Sequence, residues 1–438
     1  MIGIFYIFLY FIIVISPLAL VFLTGPVTDH GYIYETGKAF ALMAVMIIMM
    51  QFVLSSRQKW IEKHFGLDII FRFHKGIAII AGLLVICHPI LLAFGSGKLE
   101  LLYSLQLPWY ILLGQFGMIL ILALLIISLF REKLKIKFEN WRTYHNVLAV
   151  FLLAGIFVHS MIAGGHSDLS LASLQVLWYS MLVIAVFFYV YHKFYVPAVL
   201  TKNNYVVDNV IKETHDVWTL EMKPEKTGKV YDYEPGQFHF LKIQRKDDLP
   251  VEEHHFTISS SPRDKEKITS TIKESGDFTS TIGETGSGDP VSIEGPFGRF
   301  SNAFHQHEDD LVFIAGGIGI TPLMSMLRYM HDVSSNKRVT LLYANRTEED
   351  IVFREELDNI QRSGSPRLEI IYFLDNPADS WEGESGYINE EKMLKKIDDI
   401  HKRSYYICCP EPMREVVLSI LSKLKVDKDR IHLEIFSL

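Results

Sequence analysis

Over the first 200 positions, apolar residues run in long unbroken blocks rather than at the spacing of a single buried helix face. A membrane-crossing helix needs about 20 mostly apolar residues. Six blocks are that long, near 3–23, 37–55, 68–94, 108–130, 145–164 and 171–194. The first reads as a retained span, because its apolar run exceeds a typical signal-peptide core and no Lys or Arg precedes it. From residue 203 the pattern changes. Short runs at Asn204–Ile211, Asp216–Met222 and Gln237–Ile243 are divided by turn signals at Pro224, Gly228 and Pro235-Gly236, which predicts a small antiparallel β-barrel. From about residue 310, apolar runs at Leu311–Ala315, Val339–Tyr343, Leu368–Phe373 and Ser404–Cys408 alternate with helical stretches such as Pro322–His331 and Glu355–Arg362. That alternation predicts a doubly wound, nucleotide-binding α/β sheet. The expected fold is multi-domain: a six-helix transmembrane bundle over 1–200, a β-barrel over 203–305 and an α/β domain over 306–438.

Composition supports the division. The chain has 438 residues, 49% of them hydrophobic, and a mean hydropathy of +0.20. Residues 1–200 carry 13 Lys/Arg and 8 Asp/Glu, whereas residues 201–438 carry 30 and 42. The acidic second half argues against nucleic acid as a partner, since such binding needs a basic face. Three cysteines, Cys87, Cys408 and Cys409, exclude a disulfide scaffold and a four-cysteine metal site. Basic residues also orient the bundle. Arg57, Lys59, Lys63, Arg72 and Lys75 cluster at one loop, and Arg131, Lys133, Lys135, Lys137 and Arg142 at another. The loops on the other side carry only Lys38 and Lys98. The positive-inside rule then predicts a multi-pass cell-membrane protein with both termini in the cytoplasm.

Within that orientation the third and fifth spans run in the same direction, and they hold the first chemical signal. His74 and His88 lie on one, His145 and His159 on the other, each pair 14 residues apart. Fourteen helical steps rise about 21 Å and return to within about 40° of the same face. Each helix thus offers one histidine near the inner surface and one near the outer, His74 matching His145 and His88 matching His159. A single histidine in a span can merely hydrogen-bond a neighbouring helix. Ionisable groups at such depth are costly and by default functional, and two matched pairs at one repeated spacing are hard to explain by packing. No carboxylate or cysteine is placed for zinc or di-iron, and Cys87 points about 100° away from His88. Bis-imidazole ligation of two stacked haems, each a haem b, fits the pattern.

In the last domain, AGGIGITP (Ala315–Pro322) follows an apolar strand and opens a helix. Gly316, Gly317 and Gly319 would admit a pyrophosphate to the backbone at a helix N-terminus. Thr321 is placed to cap that helix and Pro322 suits its first turn. Around it, in order, stand YEPGQF (Tyr233–Phe238), HHFTISSSP (His254–Pro262), KESGDFT (Lys273–Thr279), EGPFG (Glu294–Gly298), YANR (Tyr343–Arg346), ICCPEPM (Ile407–Met413) and a final EIFSL.

This succession resembles the ferredoxin–NADP reductase-like flavoproteins. With the four membrane histidines, it resembles the NADPH oxidase and ferric reductase superfamily in a compact, prokaryotic-looking form. The resemblance implies FAD on the barrel, NADPH as electron donor with NADH also accepted, and the two haems as the route across the membrane. It implies that His254 approaches the FAD phosphate, Phe256 flanks the flavin and Thr257 stands near the reactive ring nitrogen, with Ser259 of the same motif among the flavin contacts. Gly276 and Thr279 would hold the pyrophosphate, Arg346 the nucleotide ribose or its 2′-phosphate, and Cys408 would face the nicotinamide. Phe436 resembles the aromatic that stacks on the flavin. His255 replaces the family's proline, and Cys409 its glycine. The implied acceptor is dioxygen, giving superoxide, with a ferric or cupric chelate as the alternative and an external redox protein as a third. Lipid is the expected surroundings. Neither a regulatory subunit nor direct calcium control is expected, as no calcium-loop signature occurs.

Overall fold

The structure, a computed structural model, describes residues 2–24, 31–165, 171–202, 205–226, 228–245 and 249–435. It divides into two compact units, Met1–Val196 and Pro197–Leu438.

The first unit is helical: α1 (Ile2–Thr24), α2 (Tyr32–Leu54), α3 (Lys59–Phe65), α4 (Leu67–Ser96), α5 (Trp109–Leu129), α6 (Phe138–Gly165) and α7 (Ala172–Val190), followed by α8 (Val196–Lys202) at the boundary. Among the described residues, six helices are long and apolar enough to cross a membrane. They match the six apolar blocks, with one correction. α6 begins seven residues before the expected span, so Arg142 lies on the helix rather than in the loop. Amphipathic entry explains the extension: Glu139 stands in the first turn, where a negative charge complements the helix dipole. Small residues set the close approaches between helices. A Cβ added at Gly82 on α4 would lie 2.4 Å from Leu125 on α5.

The second unit begins with an antiparallel sheet of β1 (Tyr205–Lys212), β2 (Val217–Pro224), β3 (Phe238–Ile243), β4 (Glu253–Thr257), β5 (Ile268–Lys273) and β6 (Pro290–Phe297). Its order is β4-β3-β6-β1-β2-β5. The two outer strands meet through an Ile258–Ser270 bridge and a 2.9 Å bond from Ser259 N–H to the Thr269 carbonyl. The interior is apolar: Leu220, Leu241, Ile243, Ile258, Ile268 and Val291 are fully buried.

The remaining elements are β7 (Asp310–Gly316), α9 (Ile320–Asp332), β8 (Arg338–Asn345), α10 (Arg354–Ser363), β9 (Arg367–Leu374), β10 (Glu384–Ser385), α11 (Glu390–Lys396), β11 (Ser404–Cys408), α12 (Glu411–Lys423) and β12 (Ile431–Glu434). They build a parallel sheet in the order β10-β9-β8-β7-β11-β12. Leu311 to Ala315 are wholly buried because both faces are covered. Phe313 and Leu341 pack with α9 and α10, and Ile314 and Leu342 with α11 and α12. Burying each such side chain stabilises by about 1.5–3 kcal/mol. The order reverses between β7 and β11, which opens a crevice at their carboxyl ends where such folds bind nucleotides.

α9 also ties this sheet to the antiparallel one. Arg328 donates to the Ser259 carbonyl at 2.6 Å while its fork holds Glu356 at 2.6 and 2.7 Å. Ser325 donates to the Ser260 carbonyl at 2.7 Å and accepts from Gly236 N–H at 3.2 Å. Gly236 is required there. Its φ is +90°, and a Cβ would sit 2.3 Å from the Phe300 carbonyl oxygen.

Candidate functional site

The helices bring one pair of the membrane histidines together. His74 on α4 and His145 on α6 face each other with ring centres 6.3 Å apart. Two metal–imidazole bonds of about 2.0–2.1 Å, plus the offset of each nitrogen from its ring centre, come to roughly 6 Å. The gap therefore suits one metal between two imidazoles. His74 Nδ1 is buried with no partner found among the described residues. His145 Nδ1 lies 3.3 Å from the Ser128 hydroxyl, whose oxygen accepts from the Trp141 indole at 3.2 Å.

At the other level, His88 Nδ1 lies 2.9 Å from the Gly37 carbonyl on α2, and His159 Nδ1 lies 2.7 Å from the Tyr110 carbonyl on α5. A carbonyl only accepts, so both Nδ1 atoms carry the proton. Each Nε2 is left with a free lone pair, the tautomer that such second contacts fix in ligating histidines. Gly114 on α5 makes room for His159: a Cβ there would fall 2.5 Å from Cε1 and 2.7 Å from Nδ1. Gly37, Tyr110, Gly114 and the Ser128–Trp141 pair carry no spacing signal, and only the packing reveals them. Of the basic residues close in sequence to His74 and His145, Arg72 pairs with Asp68 at 2.6 Å, and Arg142 lies over the Phe138 ring at 5.7 Å.

In the second unit, β4 carries the HHFT motif. His254 stacks on Phe278 with centres 4.5 Å apart, and Phe256 lies parallel to Phe278 at 6.4 Å. The Arg245 guanidinium lies over the Phe278 ring at 4.5 Å. The strand motif and the GDFT turn are thereby brought together. His254 Nε2 also meets Glu252 at 2.8 Å. His255 sits between the Phe238 and Phe240 rings at 5.9 and 5.8 Å, in a ladder position opposite Phe240, so the missing proline leaves a regular strand. Thr257 pairs with Phe238 at the strand end. Gly276 is open, with nothing within 4 Å of an added Cβ. The Thr279 hydroxyl accepts from the Ser275 and Gly276 N–H groups at 2.8 and 2.9 Å, shaping that turn. Ser259 is a correction: it is wholly buried, with its hydroxyl 2.8 and 2.9 Å from those of Thr269 and Thr271. It closes the sheet rather than lining a flavin surface.

At the crevice, Gly316 and Gly317 end β7 and Gly319 caps α9. Gly317 has φ +52°. A Cβ on Gly319 would lie 2.1 Å from the Cys408 carbonyl oxygen, and one on Gly316 would lie 2.6 Å from Pro410 Cδ. The glycines therefore let the nucleotide turn pack directly on the CCP segment. Contrary to the expectation, Thr321 does not cap the helix through its side chain; its hydroxyl donates back to the Ile318 carbonyl at 3.0 Å. Pro322 occupies the first turn. Cys408 is fully buried among the residues on the α9 side, whereas Cys409 packs on the α12 side. Strand alternation separates the two thiols and directs the extra side chain into the core rather than over the crevice. Burial pushes the Cys408 thiol well above its ordinary pKa and that of Cys409 up to about 11, so both are neutral at pH 7. Arg346 is exposed just past β8. Phe436 lies outside the described residues. A separate open cleft of about 990 Å³, lined by residues such as Glu213, Arg263, Lys267 and Arg354, contains none of the expected nucleotide contacts.

Three families match in succession. Residues 40–156 match the ferric reductase like transmembrane component, residues 203–301 an FAD-binding domain and residues 313–418 an oxidoreductase NAD-binding domain. Among curated relatives, the glycine betaine monooxygenase reductase subunit of Pseudomonas aeruginosa is 31% identical over 231 residues, 52% of this chain and 62% of that protein. Cytochrome b5 reductase 4 of Bos taurus is 33% identical over 165 residues, 37% of this chain and 32% of that one. The chain thus spans less than two thirds of these relatives' lengths. A solved flavohemoglobin from Malassezia yamatoensis with bound FAD and heme shares the fold at a TM-score of 0.51 and 15% identity, over 92% of this chain and 97% of that one.

Proposed function

The chain has the NADPH oxidase and ferric reductase architecture, with a ferredoxin–NADP reductase-like half, and from this we propose that it passes electrons from cytoplasmic NAD(P)H to an acceptor across the membrane. The acceptor is dioxygen, giving superoxide. FAD, when bound, converts a two-electron hydride into single electrons, and two haems b carry them across the bilayer. One hydride then accounts for two superoxide ions, with a proton left on the nucleotide side.

The observation that carries this reading is the facing of His74 and His145 at 6.3 Å. His74 and His145 would hold one haem between their imidazoles, and His88 and His159 the other, each supplying one-electron transfer when bound. The Gly37 and Tyr110 carbonyls keep the outer rings in the ligating tautomer. With His88 and His159 both ligating, an acceptor would take its electron without binding the metal. On the cytoplasmic side, Phe256 and Phe278 flank the FAD site, Gly276 admits its pyrophosphate, and Thr257 orients the ring. Gly316, Gly317 and Gly319 admit the nicotinamide nucleotide to the helix N-terminus. A ferric or cupric chelate is the second reading, favoured by the match of residues 40–156 to a ferric reductase like component.

Anaerobic addition of NADPH to the FAD-loaded protein, followed by oxygen or a ferric chelate, tests both readings. Haem reduction by NADPH and reoxidation by oxygen with superoxide release are expected. Reoxidation by the chelate alone would move the assignment to ferric reduction, and failure of NADPH to reduce the haem would end the electron-transfer reading.

Two variants probe the details. Arg346→Ala is expected to raise KM for NADPH about 10- to 150-fold, the value of a charge-assisted bond of about 1.5–3 kcal/mol, and to leave NADH nearly unchanged. Equal changes for both nucleotides would remove Arg346 from the phosphate site. Gly114→Ala forces a Cβ into the His159 ring. It is expected to lower bound haem and broaden the low-spin spectrum while flavin reduction by NADPH stays at the parent rate. An unchanged haem spectrum would show that His159 can move without consequence.

A further inference from the structure

Away from the nucleotide and membrane sites, three side chains meet beside the edge strand β12. His305 and Glu308 stand on the connector leading into β7, within the run His305-Gln306-His307-Glu308, and His432 stands on β12. One ligand atom from each lies within 4.8 Å of the other two.

Glu308 is the unusual member. Its side chain is 5% exposed, and a buried carboxylate is costly unless a cation answers it. Its Oε2 accepts the Tyr406 hydroxyl at 2.7 Å, and its Oε1 lies 2.9 Å from His432 Nε2. Burial alone raises its pKa, but the hydrogen bonds from His432 and Tyr406 hold it below the ordinary carboxylate range. No lysine or arginine is ion-paired with this carboxylate among the described residues. His305 stacks on His432 with ring centres 4.1 Å apart.

We propose that His305, Glu308 and His432 form a binding site for a divalent first-row metal of the zinc type. Two imidazoles and one carboxylate are a donor set that takes such an ion with water in the fourth position. Hard cations such as Mg²⁺ and Ca²⁺ prefer all-oxygen sites. The metal enters between Glu308 Oε1 and His432 Nε2. Bonds of about 2.0–2.2 Å to each require the 2.9 Å pair to open only slightly. His432 Nε2 faces the carboxylate oxygen and so carries a proton in the free site; ligation through Nε2 requires that proton to leave this nitrogen. The Tyr406 hydroxyl stays on Oε2 and orients the carboxylate, as outer contacts do in metal sites. Binding joins the connector between the two sheets to the last strand of the nucleotide sheet.

The test uses the full-length chain in detergent with FAD and haem bound, stripped by a chelator and then dialysed against micromolar ZnCl₂. Zinc per chain is counted by elemental analysis. About one ion per chain is expected at this site, lost in His305→Ala and held at least about 10-fold more weakly in Glu308→Gln. Flavin and haem contents should stay at parent values in both variants. Millimolar Mg²⁺ should not displace the zinc. No zinc bound by the parent chain, equal zinc in parent and His305→Ala, or displacement by Mg²⁺ would each overturn the assignment. If Glu308→Gln fails to fold, the half-buried His305→Ala decides the matter alone.

Discussion

Alanine at His74 or His145 is expected to lower bound haem from about two per chain to about one, and alanine at His88 or His159 to do the same at the outer level. The His74 and His145 rings face each other at 6.3 Å, so a metal held between them would lose one of its two imidazoles in either variant. The outer rings are fixed by the Gly37 and Tyr110 carbonyls, and each is the sole imidazole its helix offers at that depth. In all four variants NAD(P)H should still bleach the flavin, because the reductase half is a separate compact unit. Acceptor reduction should fall to background. Haem content by the pyridine complex, together with flavin and acceptor kinetics, separates these effects. Four variants that each retained two low-spin haems would dissolve the assignment.

The second large effect is expected at Gly319. A Cβ there would meet the Cys408 carbonyl oxygen at 2.1 Å and its carbon at 2.8 Å. Both are backbone atoms of a fully buried strand end, and no side chain can rotate aside. Gly319→Ala must separate the start of α9 from the end of β11. That is an overpacking cost of about 1–3 kcal/mol, visible as a lower unfolding temperature. It also widens the crevice in which the nicotinamide would lie. Misplacement by about 1 Å can cost roughly 100-fold in rate, so stopped-flow reduction of FAD by NADPH should slow by that order. Gly276→Ala is the contrast, since its Cβ meets nothing within 4 Å. It should leave stability unchanged within about 0.5 kcal/mol while weakening FAD binding. Equal stability and equal FAD reduction in Gly319→Ala would show that the turn does not depend on this contact.

How far the sequence could be read depended on the kind of signal. Spans, strands and the change of class near residue 203 follow from periodicity, and they fall within a few residues of α1, α2, α4, α5 and α7 and of β1, β2 and β3, whereas α3 lies in none of the six blocks. The start of α6 was missed because its first turns are polar and carry no apolar signal. Likewise, the pairing of His74 with His145 follows from a repeated interval on two helices running the same way.

Other features depend on residues far apart in the chain. Ser259 was grouped with the flavin contacts because it lies in the same motif, yet closure of the antiparallel sheet turns its hydroxyl to Thr269 and Thr271. Cys409 stands where the family has glycine. The alternation of β11 and the packing of α12 send it into the core. Gly114 and Tyr110 acquire their roles only when α5 lies against α6, and His305 meets His432 only when β12 closes the sheet edge. Local pattern along the chain therefore determined the membrane bundle, the two kinds of sheet and the histidine levels, because helix and strand periods are written in consecutive residues. Tertiary structure alone decided which side chains hold those histidines, which hydroxyls are spent on closure and where the thiols point, because these depend on contacts between segments whose approach no local period encodes.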